Sequence, residues 1–178
     1  MEKVTVVING VGGCGKDTLI KFLNDDYFVK NVSSITPIKN LATEIGWNGE
    51  KDEKSRKFLA ELKKLTTEYN EYALNYIINE QKDFLTSYEE IMFVHIREPE
   101  EIHKFVSNSL CKTLTLLIRP RKELEGKVYG NASDDNVENY NYDLIFDNDK
   151  SLEETKVQWL KFVKDNIVKG PLTRDYYI

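Results

Sequence analysis

Val4 to Ile8 is a short, β-branched, largely apolar run, and Gly10, Gly12, Gly13 and Gly15 follow it at once, with Lys16 closing the glycine cluster. A strand apolar on both faces belongs inside a sheet covered on both sides, which is the setting of parallel pairing. Lys16 to Leu23 then reads as a short helix. Strand, tight loop and helix in direct succession are the opening unit of an α/β domain.

Within that unit Gly10, Gly15 and Lys16 satisfy G-x-x-x-x-G-K in the one context that makes so short a pattern informative, after a strand and before a helix. Glycines permit positive φ and let main-chain N–H groups turn inward around phosphate oxygens, while the first helical turn adds unpaired donors and the positive end of its dipole. The expected ATP-binding residues are Gly10, Gly12, Gly13, Cys14, Gly15, Lys16, Asp17 and Thr18, with the Lys16 charge where the β and γ phosphates meet. Asp17 stands where Ser or Thr is usual after the lysine. Either its carboxylate or the Thr18 hydroxyl would hold Mg2+. Cys14, beside Lys16 and the helix N-terminus, is expected to be a reactive thiol, the bland alternative being a small residue tolerated where space is tight.

Beyond this unit, Val32 to Ile35, Ile91 to Ile96, Thr113 to Ile118 and Leu144 to Phe146 read as further strands separated mostly by helical stretches, which gives about five parallel strands. Phe58, Leu62, Leu65, Tyr69, Tyr72 and Tyr76 recur at spacings of three and four, so they share one helical face. That face is expected to pack on the sheet as core, with a grip on a substrate base or coiled-coil pairing as the other readings. Residues 120 to 142 are polar, carry Gly126 and Gly130, and read as a flap over a site, or else as an ordinary surface loop. Ser151 to Val168 returns to helical periodicity, and Gly170 with Pro171 ends it. The tail from Asp175 to Ile178 docks either on the body or on a partner.

A chain of 178 residues that is 40% hydrophobic is long enough for one sizeable core and short of the length at which cores split, so 1–178 is expected to form a single domain. Its 30 acidic residues exceed its 25 basic ones, and no block of Lys and Arg interrupts a net charge of -5, which argues against nucleic acid and anionic lipid as partners. No signal-peptide pattern opens the chain, and nowhere do about 18 apolar residues follow one another, so no membrane span is expected. Cys14 and Cys111 are too few for a disulfide framework or a zinc site, and a cytoplasmic setting fits.

Gly15-Lys16-Asp17-Thr18 resembles the loop of phage-type deoxynucleoside monophosphate kinases, a branch of the nucleoside monophosphate kinase-like P-loop proteins. Other stretches agree in order. Ile35 to Ala42 is similar to the segment in which the family carries a lysine toward the acceptor. Trp47, Lys51, Asp52, Lys54 and Arg56 resemble its K-D-x-x-x-R stretch, and Arg97 matches the arginine of its D-x-R motif. Asn131 to Asn148, ending in Tyr142-Asp143-Leu144-Ile145-Phe146-Asp147-Asn148, resembles its closing run of flap, last strand and adenine-side loop. The resemblance implies a three-layer α/β P-loop NTPase fold with a helical acceptor region at about 36–88 and a flap at about 120–142. It covers most of the chain, with one departure: His95 stands where the family usually has an acid at the end of the third strand. Asp17 or Glu98 would then compensate, or activity would be weak or lost.

The expectation that follows is an ATP- and Mg2+-dependent kinase acting on a small phosphorylated acceptor, foremost a (deoxy)nucleoside monophosphate. Phosphoryl transfer needs charge neutralisation and in-line positioning more than covalent help from the protein. Lys16, Arg97, Arg119 and Arg121 are the expected catalytic cations, and Lys39, Arg56 and Arg97 the expected acceptor-phosphate ligands. His95 and His103 are expected to be structural. Two other readings stand beside this one: a nucleotide-binding protein without catalysis, and a kinase of another metabolite such as dephospho-coenzyme A or phosphomevalonate. The sequence leaves homodimerisation and base preference open, the latter set by side chains around Trp47 and Tyr69 to Tyr76.

Overall fold

In a computed structural model that describes residues 2–120 and 137–169, five strands form one sheet. The strands are β1 (Val4–Asn9), β2 (Val29–Ser33), β3 (Ile91–His95), β4 (Thr113–Arg119) and β5 (Leu144–Asp147), in the order β2-β3-β1-β4-β5 with every pairing parallel. The helices between them are α1 (Lys16–Lys21), α2 (Thr36–Glu44), α3 (Glu53–Asn70), α4 (Tyr72–Thr86), α5 (Pro99–Ser107) and α6 (Leu152–Val163), which runs on as a π-helical turn over Lys164–Val168.

Alternation along β1 divides the core between the two faces of the sheet. Val4, Val6 and Ile8 join Leu19, Leu23, Phe93, Trp159 and Val163, so α1 and α6 cover one face. Val7 joins Leu74, Ile77, Phe84, Ile102 and Phe105, so α4 and α5 cover the other. The result is three layers, as the unbroken burial of all six β1 residues requires.

Two expected elements change. β2 begins three residues before Val32 because the carbonyl of Phe28 takes the N–H groups of Glu90 and Ile91 and pins Val29 opposite Ile91. An edge strand tolerates the polar residues this brings in: Lys30 pairs with Glu80 at 2.9 Å, and Asn31 reaches His95.

The aromatic stripe from Phe58 to Tyr76 is not one helical face. α3 stops at Asn70, Glu71 turns left-handed at φ 54, and Tyr72 and Tyr76 belong to α4. Leu65 is 64% exposed and Tyr69 85%, so the α3 part of the stripe does not pack on the sheet, and Ala73, Leu74, Ile77 and Phe84 of α4 do so instead. A left-handed glutamate costs about 1–2 kcal/mol. An ion pair from Lys104 to Glu71 at 2.7 Å and a hydrogen bond from the Asn75 amide to the Asn70 carbonyl at 2.7 Å offset part of that cost.

Candidate active site

The glycine cluster leaves the carboxyl end of β1 and enters α1, as the sequence implies. Gly10, Gly13 and Gly15 hold φ of 148°, 81° and 94°, values that favour glycine. At Gly10 a Cβ would stand 2.6 Å from the Ile118 carbonyl oxygen and 2.7 Å from Cys14 Sγ, so the loop lies directly against β4. The Lys16 ammonium is turned into the loop, where it donates to the carbonyls of Gly10 and Val11, the latter at 3.1 Å. Asp17 and Thr18 are exposed at the start of α1, the Asp17 side chain at 82%.

Cys14 departs from its expected role. Its side chain turns inward, 3% exposed, and packs in the core with Ile8, Leu19 and Ile118, with Sγ 3.4 Å from Lys16 Nζ. A thiol enclosed beneath the loop is a packing residue, which agrees with the alternative of a small side chain where space is tight.

At the end of β3, His95 occupies the place of the missing acid. Burial holds its pKa down at about 4, so the ring is neutral at pH 7. Its Nε2 donates to Asn31 Oδ1 at 2.9 Å and lies 3.9 Å from Asp17 Oδ1. Glu98 is held by the Lys63 ammonium of α3 at 2.8 Å, which also reaches Glu101 at 2.7 Å. Among the described residues no group of three or more His, Cys, Asp and Glu gathers as a metal cage. A Mg2+ site built from Asp17, Thr18 and substrate phosphates needs none, because this ion is usually held by one or two carboxylates together with phosphate oxygens and water.

The strand order sets β3 and β4 on either side of β1. Arg97, two residues past β3, and Arg119, the last residue of β4, therefore flank the glycine loop at the carboxyl edge of the sheet, where open parallel sheets bind ligands. Arg119 is half-exposed and lies 3.7 Å from Asp147, its partner in register on β5. Lys39 lies on α2 and Arg56 in the first turn of α3, both exposed. The indole N–H of Trp47 is buried and meets no acceptor among the described residues. Arg121, most of the 120–142 flap and the tail Asp175 to Ile178 lie outside the described residues.

Three polar residues outside the glycine motif are joined to the loop. Asn9, 1% exposed, takes the Gly10 N–H on its Oδ1 at 2.8 Å and donates from Nδ2 to the Arg97 carbonyl at 3.0 Å and the Tyr142 hydroxyl at 2.8 Å. Tyr142, whose pKa burial pushes up to about 12, passes its proton donor on to the Val137 carbonyl at 2.8 Å. Asn148, just past β5, donates to the Cys14 carbonyl at 2.8 Å. The only sequence signal for Asn9 is a polar residue ending a run that must be buried. Asn148 is signalled only as the end of the closing run Tyr142 to Asn148, a resemblance that gives it no role at the phosphate loop.

No family model and no curated protein sequence matches this chain. Solved structures do match in fold. The Thermus thermophilus protein TT1252 is 18% identical with a TM-score of 0.51, over 92% of this chain and 97% of that one. An unliganded sugar kinase from a Janibacter species is 14% identical with a TM-score of 0.50, over 92% and 95%. Parallel sheet, strand order, glycine loop and inward lysine together make this chain an α/β protein of the three-layer P-loop NTPase fold.

Proposed function

We propose that the chain is an ATP-dependent phosphotransferase whose acceptor is a small phosphorylated molecule, foremost a (deoxy)nucleoside monophosphate. The observation that carries this reading is the loop from Gly10 to Lys16, with glycines at left-handed φ and the lysine ammonium already directed into it. That donor set suits a polyphosphate: main-chain N–H groups, the first turn of α1 and one full positive charge. On binding, the ammonium exchanges the carbonyls of Gly10 and Val11 for phosphate oxygens. Mg2+, held by Asp17 and Thr18, would supply further neutralisation of the phosphate charge when bound. The neutral His95 ring beside Asp17 adds no competing cation there.

Arg97, just past β3, and Arg119, at the end of β4, stand on either side of the loop, where they neutralise charge on the transferring group and the acceptor phosphate. Arg119 can leave Asp147 at small cost, since an exposed pair at 3.7 Å contributes little. Lys39 and Arg56 serve the acceptor side, and the unmatched Trp47 donor suits a polar atom of the acceptor. A monophosphate acceptor needs no strong general base because its oxygens are already anionic at neutral pH. Among the solved structures of similar fold, the Janibacter protein is described as a sugar kinase, in accord with phosphoryl transfer.

A second reading, a nucleotide-binding protein without turnover, is favoured by one observation: the carboxylate usual at the end of the third strand is a neutral histidine here. Incubation with Mg-ATP and a panel of ribo- and deoxynucleoside monophosphates, with ADP measured, decides between them. Acceptor-dependent ADP supports the kinase. Tight ATP binding without ADP from any acceptor supports the binding protein, and ADP formed only with dephospho-coenzyme A or phosphomevalonate moves the acceptor class.

A further inference from the structure

We infer that Asn148 is a positioning residue for nucleotide binding, one that turns the Gly15 N–H toward the polyphosphate by holding the Cys14 carbonyl on the opposite side. The inference rests on the phosphate-loop reading and deepens it.

A trans peptide is planar, so the N–H of Gly15 points away from the carbonyl of Cys14. Asn148 Nδ2 donates to that carbonyl at 2.8 Å, which fixes the plane of this one peptide in the middle of the loop. A glycine at φ 94° has little resistance of its own to a peptide flip, so an outside contact is needed to define the orientation. The amide of Asn148 is itself held. The Cys14 carbonyl can only accept, which assigns the nitrogen to its side; Oδ1 then accepts from Thr155 Oγ1 of α6 at 3.2 Å, and the main-chain N–H of Asn148 donates to the Arg119 carbonyl at 3.0 Å. Nδ2 also occupies the space a side chain at position 15 would take, 2.6 Å from an added Cβ. The loop after β5, the end of β4 and the phosphate loop are thus joined at one residue. An N–H aimed in advance at the ligand binds without reorganisation, which is the benefit of a preorganised donor.

The test compares wild type with Asn148→Asp, Asn148→Ala and Thr155→Val in binding ADP and inorganic tripolyphosphate, which has no base or sugar. Aspartate keeps the shape and the Thr155 contact but cannot donate to Cys14, so it separates the hydrogen bond from packing, and melting temperatures report on folding. Asn148→Asp and Asn148→Ala are expected to weaken both ligands by the same factor, about three- to tenfold for alanine, as for loss of one neutral hydrogen bond, and more for aspartate. Thr155→Val is expected to act in the same direction and less. In spectra of 15N-labelled protein, the Gly15 amide resonance should shift in each variant before any ligand is added. Loss of ADP affinity with tripolyphosphate unchanged overturns the inference, because Asn148 would then act on the base. Unchanged affinity for both ligands in Asn148→Asp overturns it while leaving the phosphate-loop reading intact. A wild-type protein that binds neither ligand overturns both.

Discussion

Gly15 answers to two constraints, its left-handed φ of 94° and the Asn148 amide in the space of a missing Cβ. An alanine there meets a backbone cost of about 1–2 kcal/mol and must also displace the amide. Gly15→Ala is therefore expected to lower the urea midpoint and weaken ADP binding together, and removal of the amide in Gly15→Ala/Asn148→Ala should recover only part of the stability, since the φ strain remains. Full recovery in the double variant would show that the strain is absent. Cys14 carries a different consequence. With its thiol in the core and Cys111 only half-buried, iodoacetamide should label Cys111 first in the native protein and reach Cys14 only on unfolding, as read by peptide mass spectrometry. Early labelling of Cys14, slowed by Mg-ATP, would restore the reactive-thiol expectation.

α3 has no large apolar contact with the sheet, and what ties its middle to the functional edge is ionic. Lys63 bridges to Glu98, next to Arg97, and to Glu101 in the first turn of α5. Burial works against the Lys63 ammonium, the two carboxylates outweigh it, and the lysine stays charged. One ammonium cannot balance two carboxylates, so the more buried acid, Glu101, is pushed up by desolvation to about 7. The folded chain then holds a proton that the unfolded chain has released between pH 4.5 and about 7, and this group's share of stability falls as pH rises through that window. His95 acts in the opposite sense. Its lowered pKa makes stability rise with pH between about 4 and 6.5. Glu101→Gln should remove the first effect alone, so the difference in urea midpoint between variant and wild type should change in the variant's favour from pH 5 to pH 8. A difference independent of pH would sink this account. Legibility at this scale follows burial. β1, β3 and β4 could be read because strands covered on both faces are built mostly of apolar and β-branched residues, whereas the edge strand β2 admits Lys30 and Asn31 and begins ahead of its most apolar residues. The break at Glu71 was hidden because no glycine marks it and its ion pair comes from Lys104, 33 positions away. The glycine loop was legible for the reverse reason, since its chemistry depends on residue types in one short stretch. The roles of Asn9 and Asn148 were not, because each is defined by partners far away in the sequence.

At the scale of the molecule, the phosphate loop exists only where the whole sheet does. Asn9 ends β1 and holds the Arg97 carbonyl beyond β3, while Asn148 beyond β5 holds both the Arg119 carbonyl of β4 and the Cys14 carbonyl of the loop. Melting any of these strands dissolves the binding site, so a ligand for the loop stabilises the entire domain by mass action rather than one segment of it. At about 100 times its dissociation constant, Mg-ADP should add about 2.7 kcal/mol, which for a chain of this size raises the melting temperature by roughly 5 to 10 °C. Lys16 contributes charge to the ligand but little packing to the fold, as its ammonium bonds within the loop, to the carbonyls of Gly10 and Val11 and to Cys14 Sγ among the described residues. Lys16→Ala should therefore melt close to wild type without ligand and lose most of the shift with it, as followed by differential scanning fluorimetry across an ADP titration. An equal shift in both proteins would put the nucleotide elsewhere. A variant that melts far below wild type without ligand would instead make the lysine a structural strut, whose ammonium closes the loop by bonding the carbonyls of Gly10 and Val11.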